Sequence, residues 1–154
     1  QVRIWTPDKD LAQCVRDARV VQVDRKAKKV RDATGVLEKF GVEPALIPDF
    51  LALVGDIADG YPGIPGIGAV TAARLIGRYG TLESFPPGVL GQHKDLALLF
   101  KTLAVLRTDA PLFTDPQALR WRGPTQDFAR WAERLGDTGL LNRCSKARPA
   151  GSGG

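Results

Sequence analysis

A loop rich in glycine and proline, set between two apolar helical patterns, restricts the fold of this chain more than any other feature. It lies in "GDIADGYPGIPGIGAVTAARLI", residues 55–76, where four glycines and two prolines follow Asp59 before the helical pattern resumes. Such a composition ends a helix and forms a tight turn, because glycine adopts positive φ angles and proline lacks an amide donor. The segment therefore predicts a helix, a loop and a second helix whose first backbone amides face outward.

Apolar residues at helical spacing flank this loop on both sides. Residues 44–54 have Pro44 at the first helical position and an apolar face with the 3.6-residue period of a buried helix. Residues 69–79 are expected to form the second helix, which Gly80 ends. The predicted inner face of this second helix comprises Val70, Ala73, Leu75 and Ile76, and its outer face has Arg74 and Arg78.

The N-terminal part has a different character. Residues 2–5 and 19–24 have the apolar pattern of short strands, and a helical pattern at 11–15 lies between them. Strand, helix and strand in this order predict two parallel neighbouring strands of a βαβ-type sheet. The whole chain is thus expected to be α/β and mostly α.

The remaining segments give weaker patterns. Residues 34–41 predict a short helix that Thr34 caps and Gly41 ends. The basic run at 24–32 is interpreted as a solvated turn, with contact to phosphates as the alternative. Two further helices are predicted at 94–106 and 125–136. Trp121, which precedes the second of these helices, and Trp131 within it are expected to close the core rather than stack on bases.

Composition excludes several classes of function. With one histidine, His93, and two distant cysteines, the chain cannot by itself form a histidine-based zinc site or an ordinary Ser-His-Asp triad. Catalysis would have to rest on carboxylates, lysines or hydroxyls.

No stretch approaches the ~20 apolar residues of a membrane span, and the first residues lack the apolar core of a secretory signal. We therefore expect a cytoplasmic, nucleoid-associated protein without a membrane partner. The net charge of +5 is compatible with a polyanionic partner.

Two pairs of aspartates are candidate metal ligands. Asp8 and Asp10 follow the first strand and would face one side if the extended conformation continued, while Asp56 and Asp59 are three residues apart and share a face in a turn. Four carboxylates that converged would repel one another unless a cation lay among them, and Mg²⁺ or Mn²⁺ suits such an all-oxygen site. The alternative is that each aspartate is an ordinary cap or turn residue.

The loop itself carries a second signal. A Gly66-Ile67-Gly68 turn between two apolar helices lets another backbone approach, and the helix start that follows suits a phosphate held without base reading. A single Gly-x-Gly is weak evidence, but in this context it resembles the helix-hairpin-helix DNA-binding motif.

The motifs together resemble the C-terminal half of the 5′-nuclease family, which includes bacterial 5′–3′ exonucleases, the 5′-nuclease domain of DNA polymerase I and flap endonucleases. The resemblance rests on "TPDKDLAQCV" and on residues 40–85, and it covers roughly residues 1–85. It implies the C-terminal part of a PIN-like parallel sheet, with one or two strands in residues 1–43. It also implies a helical, SAM-like domain at 44–140 with its helix-hairpin-helix at 44–85, and a flexible tail at 141–154.

The resemblance also implies site residues. The family's catalytic metal ligands correspond to Asp8, Asp10, Asp56 and Asp59, which would bind Mg²⁺ or Mn²⁺. A monovalent cation such as K⁺ would lie at the loop of Gly63, Gly66 and Gly68. The DNA-binding set would be Gly63, Ile64, Gly66, Ile67, Gly68, Thr71, Arg74 and Arg78. Two departures from the family pattern are Gly60 in place of an asparagine and Val70 in place of a frequent lysine.

The implied function is that of a structure-specific 5′ nuclease, acting on duplex DNA with a 5′ flap or 5′ end in replication and repair. The chain would supply part of a two-metal hydrolysis site. Without an N-terminal half of the nuclease domain, it is expected to bind Mg²⁺ or Mn²⁺ poorly and to cleave little or nothing. Two alternatives remain open at this point: a non-catalytic helix-hairpin-helix module that binds duplex DNA, and a helical interaction domain whose loop is only a turn.

Overall fold

The computed structural model describes residues 1–147, apart from the side chain of Thr138, and begins with the predicted parallel strand pair. Strand β1 (Val2–Trp5) pairs in parallel with β2 (Val20–Asp24), in a register that runs from Val2 opposite Val20 to Trp5 opposite Val23. The connection contains a 3₁₀ helix at Asp10–Cys14 in place of the expected α-helical turn. The strand, helix and strand order therefore predicted the pairing correctly.

A third strand extends this sheet. Strand β3 (Lys29–Arg31) pairs antiparallel with β2, which gives the order β1-β2-β3 where the sequence predicted one or two strands. The chain reverses because the amide of Ala27 donates to the Asp24 carboxylate at 2.9 Å and Lys28 adopts a φ of 52°. Residues 25–30 are exposed, as expected of a solvated turn.

The first helix, α1 (Ala33–Phe40), has a different N-cap from the predicted one. The carboxylate of Asp32, not the hydroxyl of Thr34, accepts the amide of Gly35 at 2.9 Å. Aspartate is as good a cap as threonine, and its position lets the helix start two residues earlier. Gly41 ends the helix in the left-handed conformation, as predicted.

The core of the unit Gln1–Thr108 surrounds α2 (Ile47–Val54), which a 3₁₀ turn at Pro44–Leu46 precedes. Seven of the eight residues of α2 are buried, and the helix packs against α3 (Ala69–Tyr79) and α4 (Lys94–Ala104). The two flanking helices have the predicted positions, and Gly80 ends α3. A central apolar helix thus fixes the positions of its two neighbours.

A buried carboxylate joins these helices. Asp49 of α2 accepts the amide of Leu82 at 2.7 Å and lies 2.8 Å from the ammonium of Lys101 in α4. The same ammonium lies 2.7 Å from Glu83. Because a buried charge must be paired, this network holds α2, α4 and the turn after α3 in one arrangement.

One predicted inward residue of α3 is exposed instead. Val70 is 85% exposed, whereas Ala72 and Ile76 are buried. Val70 lies in the first turn of α3, where Gly68 and Ala69 before it are exposed as well. The inner face of α3 is therefore narrower than the sequence pattern predicted.

The unit Asp109–Gly154 contains α5 (Phe128–Arg134) and α6 (Thr138–Lys146). Trp121 and Trp131 are about half exposed, so the expectation that they close a core is wrong; α5 has only two turns and buries Ala132 alone. Residues 141–146 of the predicted tail are helical, because Asp137 caps α6 through the amide of Leu140 at 2.7 Å.

Residues 148–154, the rest of the predicted tail, lie outside the described residues. The domain boundary predicted between residues 43 and 44 stays a prediction. Within residues 1–147, no helix combines the length and the apolar character that a membrane span requires.

Candidate metal centre and nucleic-acid interface

The two loop aspartates lie on a closed loop at the end of α2. The amide of Asp56 donates to the carbonyl of Tyr61 at 2.8 Å, the amide of Tyr61 donates back at 3.1 Å, and the amide of Ile64 donates to the carbonyl of Leu53 at 2.8 Å. The two ends of the loop are therefore held side by side, and the aspartates between them have fixed positions.

Glycine is required where these ends touch. Gly55 and Gly63 have φ angles of 90° and 77°. A Cβ on Gly55 would lie 2.4 Å from the carbonyl group of Pro62, and a Cβ on Gly63 would lie 2.5 Å from the amide nitrogen of Gly55. No side chain fits this backbone contact, so the glycines of the motif close the loop.

The fold brings three of the four predicted aspartates together. Asp10, at the start of the 3₁₀ helix, meets Asp56 and Asp59 of the loop, and one carboxylate oxygen from each lies within 4.8 Å of the others. Asp56 is buried at 5% exposure, Asp10 is half-buried and Asp59 is exposed. Two segments 46 residues apart in sequence, from Asp10 to Asp56, thus form one acidic cluster.

Asp8 does not join this cluster. Its carboxylate accepts the amide of Asp10 at 3.2 Å, and its own amide donates to the hydroxyl of Thr6 at 3.1 Å. The chain turns into the 3₁₀ helix here instead of staying extended, so side chains two residues apart no longer face the same side. Asp8 is exposed, and its charge acts on the Asp10 carboxylate.

Burial and neighbouring carboxylates together disfavour the charged form of Asp10. Burial, followed by the hydrogen bond and charge of Asp59 and then the charges of Asp8 and Asp56, raises the pKa of Asp10 to about 7. One oxygen of Asp10, Oδ1, is buried and has no hydrogen-bond partner within the described part of the chain. These carboxylates lack sufficient positive charge in the protein itself.

Lysine supplies one counter-charge. The ammonium of Lys9 lies 2.8 Å from Asp56 Oδ2, and the amide of Ala58 donates to Asp56 Oδ1 at 3.1 Å. The donor set fits a hard divalent cation, since it comprises carboxylate oxygens only, and the unpartnered oxygen of Asp10 is the kind of ligand that such a cation takes.

Further residues at the cluster were not identified from the sequence. The side-chain amide nitrogen of Gln13 donates to the main-chain carbonyls of Asp10 at 2.9 Å and Ala104 at 3.0 Å. Its side-chain oxygen accepts the backbone amide of Leu106 at 3.1 Å. The side-chain amide of buried Gln22 donates to the main-chain carbonyl of Asp8. Both glutamines hold the Asp8–Asp10 segment in place, and only a polar residue in the apolar strand "VVQVD" hinted at either role.

Tyr61 is the other residue that sequence reasoning missed. It is 2% exposed, and its ring stacks on Phe100 of α4 with centroids 5.4 Å apart. Burial, and then the charges of Asp10, Asp56 and Asp59, raise the pKa of Tyr61 to about 12. The hydroxyl group thus lies in the field of all three carboxylates.

The loop from Gly63 to Gly68 leads directly into α3. Ile64 is buried and its carbonyl accepts the amide of Ile67 at 3.0 Å, whereas Gly66 and Gly68 are exposed. The N-cap residue is Gly68, which has no side chain to occupy the first amides of α3. An uncapped helix start of this kind attracts anions. The predicted basic residues Arg74 and Arg78 are exposed on α3, and Thr71 is half-buried.

The chain is mostly helical with a small mixed sheet, and its acidic cluster lies beside a helix-loop-helix; it has the kind of fold described as SAM-like. Residues 42–127 match the family model described as 5′–3′ exonuclease, C-terminal SAM fold, and the chain belongs to this family. The expected family and fold class are thereby confirmed.

Curated relatives agree with this assignment. The chain is 37% identical over 135 residues to a 5′–3′ exonuclease of Aquifex aeolicus, an alignment that covers 80% of this chain and 45% of that protein. It is 32% identical over 161 residues to DNA polymerase I of Bacillus subtilis, covering 89% of this chain and 18% of the polymerase. The chain therefore spans less than half the length of these relatives.

Solved structures share the fold. The T5 5′-exonuclease with bound zinc superposes with a TM-score of 0.61 at 19% identity, over 68% of this chain and 42% of that one. A bacteriophage T5 flap endonuclease, described as a pseudo-enzyme–product complex with DNA and metal ions, superposes with a TM-score of 0.54 at 17% identity, over 68% and 40% of the two chains.

Proposed function

We propose that this chain is part of a structure-specific 5′ nuclease, a 5′–3′ exonuclease or 5′-flap endonuclease of DNA replication and repair. In this proposal it binds duplex DNA and contributes some of the ligands of a two-metal phosphodiester hydrolysis site. One observation carries the proposal: the segment that presents Asp56 and Asp59 to the acidic cluster continues within four residues into the loop that starts at Gly63. A group that holds a phosphate and a group that attracts cations are thus adjacent.

The residues of the cluster would hold Mg²⁺ or Mn²⁺. Asp10, Asp56 and Asp59 supply oxygens to the cations, and Asp8 lies close enough to add negative charge. When bound, such cations supply an activated water nucleophile and neutralise the leaving oxygen of the scissile phosphate. The protein's own part is to hold the carboxylates in place through the closed loop and through Gln13.

The helix-hairpin-helix would hold one duplex arm of a substrate with a 5′ flap or 5′ end. The uncapped first amides of α3 suit one phosphate, and the guanidinium groups of Arg74 and Arg78 suit the next phosphates along the strand. The loop carbonyls of Gly63, Gly66 and Gly68 would bind K⁺ between protein and DNA. A protein with these contacts acts at the nucleoid.

The proposal includes an N-terminal half of the nuclease domain as partner. Among the described residues, β1 pairs with β2 alone, and its residues Val2 and Trp5 are exposed. A strand at the edge of a sheet presents unpaired backbone groups with which another strand can pair. A further strand of the partner beside β1 would complete the sheet, and the partner would bring the remaining metal ligands.

A non-catalytic duplex-binding module remains the second candidate. The ion pair between Lys9 and Asp56 favours it, because the ammonium occupies the carboxylate that a cation would need. Substitution Asp56→Asn separates the two functions. It abolishes cleavage in the nuclease and leaves duplex affinity unchanged, whereas in a purely binding module it has no effect on any activity.

Duplex binding is tested by fluorescence anisotropy with a labelled duplex in increasing KCl. Affinity should fall steeply with salt, and Arg74→Ala and Arg78→Ala should each weaken binding and reduce the salt slope by about one. Arg16→Ala, an exposed arginine in the turn before β2, is the matched control. No binding at low salt would favour the third alternative, a helical interaction domain.

A further inference from the structure

The side chain of Tyr61 is buried, and its backbone is hydrogen-bonded to a residue of the acidic cluster. Its amide and carbonyl both pair with Asp56, at 3.1 and 2.8 Å, so the position of the residue is tied to that aspartate. The ring stacks on Phe100 and is 2% exposed. The hydroxyl therefore cannot reach bulk solvent in this arrangement.

This hydroxyl has no hydrogen-bond partner in the part of the chain that the structure describes. A buried donor without a partner lowers the stability of a fold. Phenylalanine would fill the same space and stack equally well on Phe100, so packing does not explain the hydroxyl. A different role is required to account for it.

The charges of the Asp10, Asp56 and Asp59 carboxylates all act on this hydroxyl. Asp56 already accepts from Lys9 and from Ala58. Asp10 Oδ1, in contrast, is a buried acceptor that lacks a partner among residues 1–147. One unpartnered donor and one unpartnered acceptor thus belong to the same cluster.

We propose that Tyr61 is a positioning residue of the cation site, whose hydroxyl donates a hydrogen bond to the carboxylate of Asp10 when a divalent cation draws the three carboxylates together. The hydroxyl then fixes the orientation of Asp10 and leaves its second oxygen for the cation. Outer groups that orient metal ligands in this way typically strengthen cation binding. The inference rests on the metal site proposed above.

The test compares Tyr61→Phe with Tyr79→Phe. The chain has two tyrosines, and Tyr79 also packs on a phenylalanine ring, Phe85, with centroids 5.6 Å apart. Each variant of the full chain is measured twice: thermal unfolding without divalent cations, and titration with Mn²⁺ followed by the electron paramagnetic resonance of free Mn²⁺. The second variant controls for the loss of a tyrosine hydroxyl beside an aromatic ring.

Tyr61→Phe should weaken Mn²⁺ binding about tenfold. It should unfold, without cations, at the same temperature as the wild-type chain or a higher one, because an unpartnered donor has been removed. Tyr79→Phe should leave Mn²⁺ affinity unchanged. This combination of weaker cation binding and undiminished stability does not arise from a merely structural hydroxyl.

One result would overturn the inference alone: equal Mn²⁺ affinity of Tyr61→Phe and the wild-type chain, whether or not the variant is less stable. A wild-type chain that takes up no Mn²⁺ at millimolar concentration, either alone or joined to an N-terminal half from the same family, would overturn the proposed metal site as well. The failure of the positioning role and the failure of the site are thus distinguishable.

Discussion

The ammonium of Lys9 lies 2.8 Å from the carboxylate of Asp56, so the residue between Asp8 and Asp10 in sequence is the counter-ion of a loop aspartate in space. Lys9 is about one-third exposed, whereas Asp56 is buried. The pair therefore joins the strand-end segment to the loop and neutralises part of the acidic cluster. A divalent cation that binds the cluster has to compete with this ammonium.

Replacement of Lys9 by methionine should raise the affinity for Mn²⁺ several-fold, because the competing charge is lost while the aliphatic length is kept. The same change should lower the free energy of unfolding by about 1 kcal/mol without cations, a small effect since the lysine is partly exposed. Saturating Mn²⁺ should restore the stability. Calorimetric melting with and without Mn²⁺ measures both effects, with Lys26→Met as a control in the exposed turn. Weaker Mn²⁺ binding in Lys9→Met would contradict this interpretation.

The contact between Gly55 and Gly63 should be intolerant of any side chain. Gly55→Ala should lower the free energy of unfolding by about 3 kcal/mol or more, since positive φ strain adds to a backbone clash at 2.4 Å. Gly60→Ala is the matched control, because Gly60 has a φ of 88° but no heavy atom within 4 Å of the point that a Cβ would occupy. Gly60→Ala should lower the free energy of unfolding by about 1 kcal/mol. Urea unfolding curves compare the two, and equal losses would show that the loop ends are not in contact.

Val70 offers a gain-of-function change. It is 85% exposed in the first turn of α3, where the family often has a lysine. Val70→Lys should strengthen duplex binding and make the salt slope about one unit steeper, because one more phosphate is neutralised. Leu99→Lys places the same charge on an exposed position of α4 and is the control. If both substitutions change duplex affinity equally, α3 is not the DNA-facing helix.

Acid should weaken the network between α2 and α4. The hydrogen bond from Lys101 holds the pKa of Glu83 below its usual value of 4.5. A lowered pKa contributes stability that is present above pH 4.5 and is lost as the pH falls through the folded-state value. Glu83→Gln should therefore lower the free energy of unfolding at pH 7 by roughly 0.5 kcal/mol, a small effect because the carboxylate is more than half exposed. The variant should also lose less stability than the wild-type chain as the pH falls below 4.5. Identical pH profiles for the variant and the wild-type chain would exclude this contribution.

The sequence predicted those features that depend on local chemistry. Glycines at 41 and 80 end helices, and the loop of 55–68 closes between two helices, because glycine and proline restrict the backbone wherever they occur. The parallel pairing of β1 with β2 followed from connection rules. The assignment to the 5′-nuclease family followed from the motifs around these same residues.

Features that depend on three-dimensional neighbours were not predictable. Asp10 and not Asp8 joins the loop aspartates because the chain turns into the 3₁₀ helix at Asp10, and the apolar pattern did not predict this turn. The exposure of Val70 depends on which elements pack against the first turn of α3, and the helical period alone does not indicate this. Tyr61 was missed because its position within an irregular loop has no periodicity from which burial could be inferred.

The central claim is that this chain provides part of a metal-dependent 5′ nuclease site and the duplex grip beside it. Its most direct test is cleavage of a 5′-flap duplex in Mn²⁺ by three preparations: the chain alone, the chain joined to an N-terminal half from the same family, and the joined protein with Asp56→Asn. We expect the joined protein to cleave, the chain alone to cleave little or nothing, and Asp56→Asn to reduce the rate at least about 100-fold with duplex affinity retained. Undiminished cleavage by the joined Asp56→Asn protein would contradict the account.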